Sequence, residues 1–270
     1  MNVDRNAPIG IFDSGVGGLT VARQVMRELP GERIVYFGDT ARAPYGVHST
    51  DRITAQTMQI MRFLSEKRLK MAIIACNTIC VSSYYEIQGA FSLPVLEILS
   101  PAATECVILQ PPAALVGVIA TDATCKSEGY RVEIQKRNPN ITVLHKPCPQ
   151  LVVLAEQGLS ASAAAARQCE IYLADFKACG IDTLILGCTH FPMFREHIAA
   201  YLGAGVRLID PATATAAKLR AALNEAGLCA DHKDPAHEFY ISGDVPTFEH
   251  IGKELLGVDV LAERVDIERY

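Results

Sequence analysis

Two cysteines that lie far apart in the chain have closely similar surroundings. Cys76 lies in the segment MAIIACNT and Cys188 in the segment TLILGCTH, so each follows an apolar strand and precedes polar residues at the start of a helix. A helix N-terminus lowers the pKa of a thiol from its usual value of about 8.5 and favours the thiolate. The asparagine, threonine and histidine side chains that follow offer hydrogen bonds to a carboxylate or an ammonium group. The pattern indicates two reactive thiols beside groups that suit a small charged molecule.

Two thiols can do chemistry that one cannot. The proton on the α-carbon of an amino acid is hard to remove, and a single base reaches only one face of that carbon. Inversion needs a base on one face and an acid on the other, and one thiolate with one thiol supplies both, with roles that swap between directions. A desolvated thiolate is a stronger base than a thiolate in water, and donors around the substrate carboxylate stabilise the developing charge. Cys76 and Cys188, facing each other across one substrate, would therefore make an amino-acid racemase without a cofactor.

Two further motifs follow the first two predicted strands. The segment DSGVGG at Asp13–Gly18 exposes backbone N–H groups at a helix N-terminus, which suits an anion. It also fits a plain strand-to-helix turn or a degenerate dinucleotide loop, in which its acidic residue would repel a pyrophosphate. The segments Gly38–Thr40 and Pro44–Gly46 lie where ligands bind in open α/β folds, although their residues are also typical of an ordinary loop. Each motif alone leaves both interpretations open.

Other kinds of cysteine chemistry compete with racemisation. A zinc site could use Cys76 with Cys80 or Cys188 with His190, but the chain has no C-x-x-C pair and no paired-histidine spacing, so we expect no metal. A Cys188–His190 nucleophile pair is another option, although hydrolases usually draw the base from a distant segment, and Cys76 would then have no role. The cysteines expected to be small buried apolar residues are Cys80, Cys106, Cys169, Cys179 and Cys229.

Short apolar runs alternate with longer segments of helical pattern along the chain. Continuous apolar strands separated by helices predict an α/β fold of parallel sheets flanked by helices on both faces. The predicted strands are Ile9–Phe12, Ile34–Phe37, Met71–Ala75, Val95–Leu99, Leu115–Ala120, Ile141–Leu144, Thr183–Leu186, Val206–Ile209 and Phe239–Ile241. Near the C-terminus we expect a helix over Thr213–Glu225 and a last helix from about Thr247.

The second half of the chain repeats the pattern of the first. The strand and turn at Ile9–Ser14 (IGIFDS) resemble those at Val116–Thr121 (VGVIAT). Counted from Asp13 and from Thr121, the cysteine follows after 63 residues in one half and after 67 in the other. Each half therefore places one cysteine at an equivalent point of the same supersecondary pattern.

This repeat predicts two pseudo-symmetric α/β domains with an active site in the cleft between them. The first domain would comprise residues 1–99 and 211–270, and the second residues 100–210. The polar-proline junctions Ser100–Pro101 and Asp210–Pro211, each after a predicted strand, mark the two changes of domain. The C-terminal strand and helices would rejoin the first domain.

Composition and charge exclude several classes of protein. The chain of 270 residues is 50% hydrophobic and 20% charged, with a formal net charge of −5 and no lysine- or arginine-rich block, so a nucleic-acid partner gets no support. A small anionic substrate is still compatible with this charge. Nine cysteines, an odd number without the spacing of a disulfide framework, indicate a reducing compartment and hence the cytoplasm. We expect no signal peptide, because the N-terminus has no long apolar run after a basic region. We also expect no membrane association, because no run approaches the ~18 apolar residues that span a membrane.

In the order of its motifs, the chain resembles the glutamate racemases of the aspartate/glutamate racemase superfamily. The motifs are D-S-G-x-G-G at Asp13–Gly18, P-Y-G at Pro44–Gly46, A-C-N-T at Ala75–Thr78 and G-C-T-H-F-P at Gly187–Pro192. Four ordered motifs are far more specific than any one of them. The resemblance implies two α/β domains with the active site between them, no pyridoxal phosphate, flavin or metal, and the supply of D-glutamate for peptidoglycan and the cell wall of a bacterium. It also allows a homodimer, for which the sequence gives no interface signal.

The resemblance assigns roles to individual residues. Carried over, Cys76 acts on the α-proton of the D-substrate with help from Asp13, and Cys188 acts on that of the L-substrate with help from His190. The residues that would hold glutamate by its carboxylates and ammonium group are Asp13, Ser14, Tyr45, Gly46, Asn77, Thr78, Thr121, Thr189 and His190. Thr124 would extend the binding segment around Thr121. The residues expected just behind the substrate-binding ones are Asp39 and Glu156.

Two short departures from the family lie next to these motifs. The family usually has a small residue after A-C-N-T, where this chain has Ile79-Cys80, and a small residue in the following strand, where this chain has Leu96-Glu97. These departures leave the shape of the pocket open at this point. They therefore also leave open whether the substrate is glutamate or aspartate. The alternatives are a racemase for aspartate or another amino acid and, in a different class, a ligand-binding protein that has kept the fold. A decarboxylase of the superfamily should lack one cysteine, and a dinucleotide oxidoreductase needs an intact glycine fingerprint.

Overall fold

Parallel strands form two separate sheets in residues 4–109 and 114–270, the parts of the chain that the computed structural model describes. The strands, numbered along the chain, are β1 (Ile9–Asp13), β2 (Ile34–Gly38), β3 (Met71–Ile74), β4 (Val95–Glu97), β5 (Leu115–Ala120), β6 (Thr142–Pro147), β7 (Thr183–Gly187), β8 (Arg207–Ile209), β9 (Glu238–Ile241) and β10 (Ala262–Arg264). One sheet has the order β10-β9-β2-β1-β3-β4 and the other the order β6-β5-β7-β8. Each strand in both sheets pairs in parallel with its neighbours, as the continuous apolar runs predict.

Helices connect the strands and cover the sheets. They are α1 (Leu19–Glu28), α2 (Thr50–Ser65), α3 (Asn77–Ala90), α4 (Leu99–Leu109), α5 (Asp122–Ser127), α6 (Gly129–Gln135), α7 (Pro149–Glu156), α8 (Ala163–Cys179), α9 (Arg195–Leu202), α10 (Pro211–Glu225) and α11 (Val245–Leu256). Short 3₁₀ helices lie at Tyr45–Val47, Phe191–Phe194 and Ile267–Arg269. In the described ranges, none of the helices has the length and apolarity needed to cross a membrane.

The strand orders confirm the internal repeat. Strands β1 to β4 of the first sheet lie in the order β2-β1-β3-β4, and strands β5 to β8 of the second lie in the corresponding order β6-β5-β7-β8. Strand β9 pairs with β2 and β10 with β9, so the C-terminal part of the chain rejoins the first sheet as expected. The two halves are therefore pseudo-symmetric α/β units, and corresponding residues of the repeat lie at corresponding strand ends.

Each sheet has its own apolar core. All five residues of β1 and of β2 are buried, and full burial of one such aliphatic or aromatic side chain stabilises the fold by about 1.5–3 kcal/mol. Helix α10 packs its buried face on the first core, whereas α4 packs its buried face with β5 of the second sheet. This packing agrees with a division into residues 1–99 plus 211–270 and residues 100–210, which stays a prediction.

Element boundaries differ from the predicted ones where side chains cap helices. Strand β4 ends at Glu97 rather than Leu99, because the Glu97 carboxylate accepts hydrogen bonds from the backbone N–H groups of Leu99 (2.5 Å) and Ser100 (2.9 Å) and so begins α4. The junction predicted at Ser100–Pro101 therefore lies inside the first turn of α4, where proline is tolerated. At the other junction, Asp210 caps α10 by accepting a hydrogen bond from Ala212 N (3.0 Å).

Candidate active site

The predicted site residues gather at the carboxyl ends of neighbouring strands in each sheet, chiefly β1 and β3 in the first sheet and β5 and β7 in the second. Asp13 is the last residue of β1, and Ser14 and Thr121 directly follow β1 and β5 at equivalent points of the repeat. Cys76 follows β3 after one residue and is the N-cap of α3, whereas Cys188 directly follows β7. Ligands bind outside the carboxyl ends of strands in open α/β sheets, so the topology brings both thiols to the place where a substrate would bind.

One small cavity lies between these strand ends and takes its wall from both halves. Its volume is about 20 Å³. The residues that line it are Ser14, Pro44, Tyr45, Gly46, Cys76, Asn77, Thr78, Val152, Glu156, Thr121, Cys188, Thr189 and His190. Both cysteines and all predicted substrate-binding residues except Asp13 therefore face the same space. Asp13 is fully buried and lies outside the wall.

The Cys76 thiol is held in an apolar and anionic environment. Its Sγ lies 3.5 Å from the hydroxyl oxygen of Ser14. Burial and the nearby Asp13 carboxyl group raise the pKa of Cys76 to about 12, against the hydrogen bond from Ser14. The expectation that the N-terminus of α3 would lower this pKa was therefore wrong, because desolvation has the larger effect. The same desolvation makes the Cys76 thiolate a strong base once it forms.

The Cys188 thiol faces a histidine that is part of an ion pair. The Nδ1 atom of His190 lies 3.5 Å from Cys188 Sγ, and the Nε2 atom of the same ring lies 2.6 Å from Glu156 Oε1. Burial opposes the imidazolium, but the contacts with Cys188 and Glu156 outweigh it and raise the pKa of His190 well above 6.5. Burial likewise opposes the Glu156 carboxylate, and the bond to His190 overcomes it and lowers the pKa of Glu156. His190 is therefore held as a cation beside the sulfur atom of Cys188.

Asp13 connects the two halves behind the cavity. Its carboxylate accepts hydrogen bonds from Gly15 N (3.0 Å) and from the Thr189 hydroxyl (3.2 Å) of the other half. The hydroxyl of Thr20 also lies 3.1 Å from the carbonyl oxygen of Thr189. Burial raises the pKa of Asp13, while the charge of His190 lowers it. Asp13 is thus placed to influence the Cys76 thiol and to anchor the segment that follows Cys188.

The opposite side of the cavity is lined by hydroxyl groups and one amide. The hydroxyls of Thr78 and Thr121 are 2.9 Å apart and join α3 to the N-cap of α5. The hydroxyl of Tyr45 donates a hydrogen bond to Asp39. The Tyr45 proton is engaged with Asp39, so the donors in this group for a carboxylate in the cavity are the Asn77 amide and, after rotation, the Thr78 and Thr121 hydroxyls.

Asp39 lies behind the cavity and holds the loop that carries Tyr45. Its carboxylate also accepts hydrogen bonds from Arg42 Nε (2.7 Å) and from the Ser242 hydroxyl (2.7 Å). Arg42 in turn pairs with Glu268 at 3.0 Å, so the C-terminal segment helps to fix this loop. The predicted position of Asp39 just behind the substrate-binding residues agrees with this geometry.

The glycines after Asp13 allow the two halves to approach closely. A Cβ atom on Gly15 would lie 2.6 Å from Glu156 Oε1, and one on Gly17 would collide with the Thr189 hydroxyl and lie 3.0 Å from the His190 ring. The glycine-rich segment is therefore more than a strand-to-helix turn. It is the contact surface on which the Cys188 segment of the second half rests.

Several positions differ from the sequence-based expectations. Glu156 lines the cavity itself instead of lying behind it, because α7 ends with this side chain against His190. Thr124 is buried behind Thr121 and hydrogen-bonds to it, and it does not line the cavity. Sequence reasoning missed Val152, an apolar residue inside a helix that carries no chemical signal, and it missed Pro44, although Pro44 belongs to the quoted P-Y-G motif.

The residues that depart from the family pattern do not line the cavity. None of Ile79, Cys80, Leu96 and Glu97 lines its wall, and Ile79 is fully buried in the first core. Among the other cysteines, Cys80, Cys106 and Cys169 are buried as predicted. Cys179 is exposed and Cys229 is only half-buried, so the prediction of buried apolar roles was wrong for these two.

In the described ranges, no group of three or more His, Cys, Asp or Glu side chains is arranged to hold a metal ion. His190, which the zinc hypothesis needed as a ligand, uses both ring nitrogens in contacts with Cys188 and Glu156.

The chain is similar to known racemases over almost its whole length. A family model described as Asp/Glu/Hydantoin racemase matches residues 17–219. Glutamate racemase 2 of Caldanaerobacter subterraneus subsp. tengcongensis is 40% identical over 264 residues, which cover 97% of this chain and 98% of that protein. The structure of glutamate racemase isoform RacE1 from Bacillus anthracis matches with a TM-score of 0.93 at 35% identity, over 97% of this chain and 98% of that chain. Glutamate racemase from Francisella tularensis, solved in complex with D-glutamate, matches with a TM-score of 0.91 at 37% identity, over 98% of this chain and 100% of that chain.

Proposed function

This chain belongs to the Asp/Glu/hydantoin racemase family, and we propose that it interconverts L- and D-glutamate without a cofactor by means of two thiols. One observation carries the proposal: Cys76 and Cys188 end equivalent strands of two pseudo-symmetric sheets and line the same cavity. Repeat symmetry of this kind presents one thiol to each face of a molecule bound between the sheets. Glutamate is favoured as the substrate because the relatives that match nearly full-length carry that activity in their names.

The reaction moves two protons and leaves the covalent structure of the substrate unchanged. For D-glutamate, the Cys76 thiolate takes the α-proton and becomes a thiol, and the electron pair of the broken C–H bond remains on the α-carbon and its carboxylate. The Cys188 thiol then donates its proton to the opposite face and becomes a thiolate. For L-glutamate the two cysteines exchange roles. Solvent protons must restore the starting protonation states before the next turnover.

Neighbouring charges assist each thiol. His190, kept cationic by its contacts with Cys188 and Glu156, would stabilise a thiolate at Cys188 and is placed to return a proton to it. Asp13 lies near Cys76 and raises its pKa, which makes the Cys76 thiolate a stronger base. The ammonium group of the substrate would offset the negative charges of this side of the cavity, so that the Cys76 thiolate forms when substrate is present.

Hydrogen-bond donors around the cavity would bind the substrate carboxylates. Ser14, Asn77, Thr78 and Thr121 contribute hydroxyl or amide donors to the wall. Tyr45 and Thr189 line it with hydroxyls that donate to Asp39 and Asp13, and Gly46 contributes backbone. Donors fixed in a closed site stabilise the charge that develops on the carboxylate when the α-proton leaves. With a volume of about 20 Å³ the cavity has room for one or two water molecules, so glutamate must enter through separation of the two halves.

The proposed substrate and reaction are tested together by optical activity. The purified protein is incubated with L-glutamate without added cofactor, and circular dichroism is followed until it is constant. We expect the signal to decay to zero with glutamate and to persist with L-aspartate. A signal that persists with glutamate and decays with aspartate would assign the site to aspartate instead. If no amino acid lost its optical activity, a ligand-binding role for the same cavity would replace the proposal.

In the cell we propose that the D-glutamate product serves peptidoglycan synthesis in a bacterial cytoplasm. All nine cysteines are free, which suits a reducing compartment. Expression of the chain should therefore restore growth of a bacterium that requires added D-glutamate for its cell wall. The Cys188→Ala variant, expressed to the same level, should fail to do so, and growth with this variant would contradict a role of Cys188 in the reaction.

A further inference from the structure

One polar atom in the cavity wall has no partner among the described residues. The side-chain nitrogen Nδ2 of Asn77 is buried and donates no hydrogen bond to any of the described residues. Asn77 is 2% exposed and lines the cavity next to Cys76. Buried donors in native proteins are nearly always satisfied, so an unpaired one at a binding site is available for a ligand. The group that this amide would bind is an anionic oxygen of the substrate.

Tyr130 determines which way the Asn77 amide faces. The Tyr130 hydroxyl lies 2.6 Å from Asn77 Oδ1, on the other end of the same amide. Burial, together with the nearby Cys80 and Glu97, raises the pKa of Tyr130 well above 10, so the hydroxyl keeps its proton and donates it to Oδ1. With Oδ1 engaged in this way, Nδ2 is the end of the amide left for the cavity. Tyr130 itself is fully buried and does not line the cavity.

The same tyrosine ring also supports the segment of the second thiol. A Cβ atom on Gly187, the residue before Cys188, would lie 3.0 Å from Cε2 of Tyr130 and 2.8 Å from the backbone oxygen of Ile119. The ring therefore packs directly against Gly187. Tyr130 belongs to α6 and to the core of the second half, whereas Asn77 begins α3 of the first half. One side chain thus contacts a neighbour of each proposed catalytic thiol.

We propose that Tyr130 is a positioning residue for racemisation, which orients the Asn77 amide to donate to a substrate carboxylate and braces Gly187 beside Cys188. This inference rests on the proposed function, because it assumes that an amino acid occupies the cavity. Asn77 is assigned to substrate binding by its place in the cavity, and Tyr130 acts through Asn77 from outside the wall. Loss of the hydroxyl alone should leave the ring against Gly187 and release only the amide.

The test uses Tyr130→Phe, Asn77→Ala and the double variant, with racemisation of D- and L-glutamate as the readout. Loss of one neutral hydrogen bond predicts a rise of about 3- to 10-fold in KM for Tyr130→Phe in both directions, with a smaller fall in kcat. The double variant should have the KM of Asn77→Ala, because the hydroxyl acts only through the amide. Tyr240→Phe is the control, since its hydroxyl bonds to Glu238 away from the cavity, and its KM should be that of the wild type.

Different results would overturn different statements. If the wild type racemises glutamate and Tyr130→Phe has an unchanged KM, the proposed role of Tyr130 is wrong. The same conclusion follows if the KM increases of the two single variants multiply in the double variant. If Tyr130→Phe does not fold, the KM of Asn77→Asp tests whether the Asn77 amide donates to the substrate. Its second carboxylate oxygen would repel the substrate carboxylate, so KM must rise above that of Asn77→Ala, and a wild-type KM would refute the donor role. A wild-type protein that neither binds nor racemises glutamate would refute the proposed function itself.

Discussion

Two effects on the pKa of the Cys76 thiol oppose each other, and the larger effect determines the direction of the shift. A helix N-terminus stabilises a negative charge by about 0.3–1 kcal/mol, which is less than one pKa unit. Burial together with Asp13 moves the pKa from 9.0 to about 12, and this shift is several times larger. The resting thiol is therefore protonated, and its thiolate is a base strong enough to be useful against a carbon acid. Bound substrate, with its ammonium group, must supply the charge that permits ionisation.

The ion pair between His190 and Glu156 gives a prediction about pH and stability. The folded-state pKa of His190 lies well above 6.5. The contribution of His190 to the free energy of unfolding is therefore complete below pH 6.5 and is lost as the pH rises through the folded-state pKa. The folded-state pKa of Glu156 lies below 4.5, so its contribution is complete above pH 4.5 and is lost as the pH falls through the folded-state value. The pair stabilises the fold fully between pH 4.5 and 6.5.

Glu156→Gln keeps an acceptor for His190 but removes the charge. We expect it to lower the free energy of unfolding by about 1–3 kcal/mol near pH 5.5, and by less as the pH rises above about 6.5, measured by urea denaturation. Glu133→Gln is the matched control, because Glu133 pairs with a lysine and an arginine, Lys136 and Arg137, instead of a histidine. A cost of Glu156→Gln that stays constant with pH, like that of the control, would show that His190 is not charged in the folded state.

For single residues, the sequence predicts which side chains can react better than it predicts what surrounds those side chains in the fold. The thiols, Asn77 and His190 could be recognised because their residue types and spacing carry chemical meaning. The contact of Glu156 with the cavity, and the wall position of Val152, depend on how α7 packs across the cavity, and no local pattern in the sequence reports that packing. The direction of the Cys76 pKa depends on the depth of burial, which is also a tertiary property.

At the scale of elements, the turn between β1 and α1 is the critical contact. Its glycines leave room for Thr189 and His190 of the second half, so a single methyl group there should move the halves relative to each other. Misplacement of reacting groups by about 1 Å can cost 10²-fold in rate.

Gly17→Ala tests this contact. We expect a fall in kcat/KM for glutamate on the order of 10²-fold, because the added Cβ displaces the segment that follows Cys188. Gly89→Ala in α3 is the control, since a Cβ atom there has no neighbour within 4 Å. That variant should keep wild-type activity and gain about 0.5–1 kcal/mol in the free energy of unfolding. Equal activities of the two variants would mean that the close approach at Gly17 has no part in the reaction.

The elements themselves were predictable wherever the apolar runs are continuous. Nine strands were found close to their observed positions, but β10 was not, because it is an edge strand with two exposed charged residues out of three. The C-terminal helices were found as well, although α11 begins at Val245 instead of Thr247, because Asp244 caps it by accepting a hydrogen bond from Thr247 N (2.9 Å). Capping side chains set such boundaries, and they are harder to recognise than hydrophobic runs.

At the scale of the whole molecule, the repeat explains why one chain can act on both faces of a carbon atom. Two sheets with corresponding strand orders place corresponding strand ends on either side of one cavity. The repeat was visible in the sequence, whereas the closed state of the cavity was not, since it depends on contacts between the halves. The exact division into domains and the homodimer both stay predictions, and the homodimer can be checked by light scattering of the purified protein.

Closure around the substrate predicts ligand-dependent stability. A ligand at about 100 times its Kd stabilises the folded state by about 2.7 kcal/mol. For a chain of this size, that raises Tm by roughly 5–10 °C, which differential scanning calorimetry with and without D-glutamate would detect. L-lysine at the same concentration, with a cationic side chain, should leave Tm within about 1 °C. Equal effects of both amino acids would indicate a general solute effect and no specific site.

The most direct test of the account is proton transfer in deuterated water. L-glutamate is converted by the wild type, by Cys76→Ala and by Cys188→Ala, and deuterium at the α-carbon is measured in substrate and product at low conversion. Two opposed thiols predict deuterium in the D-glutamate product, little deuterium in the remaining L-glutamate, and no racemisation by either variant. Deuterium appearing equally fast in remaining substrate and in product, or racemisation by either cysteine variant, would contradict a mechanism in which Cys76 and Cys188 act on opposite faces of one substrate.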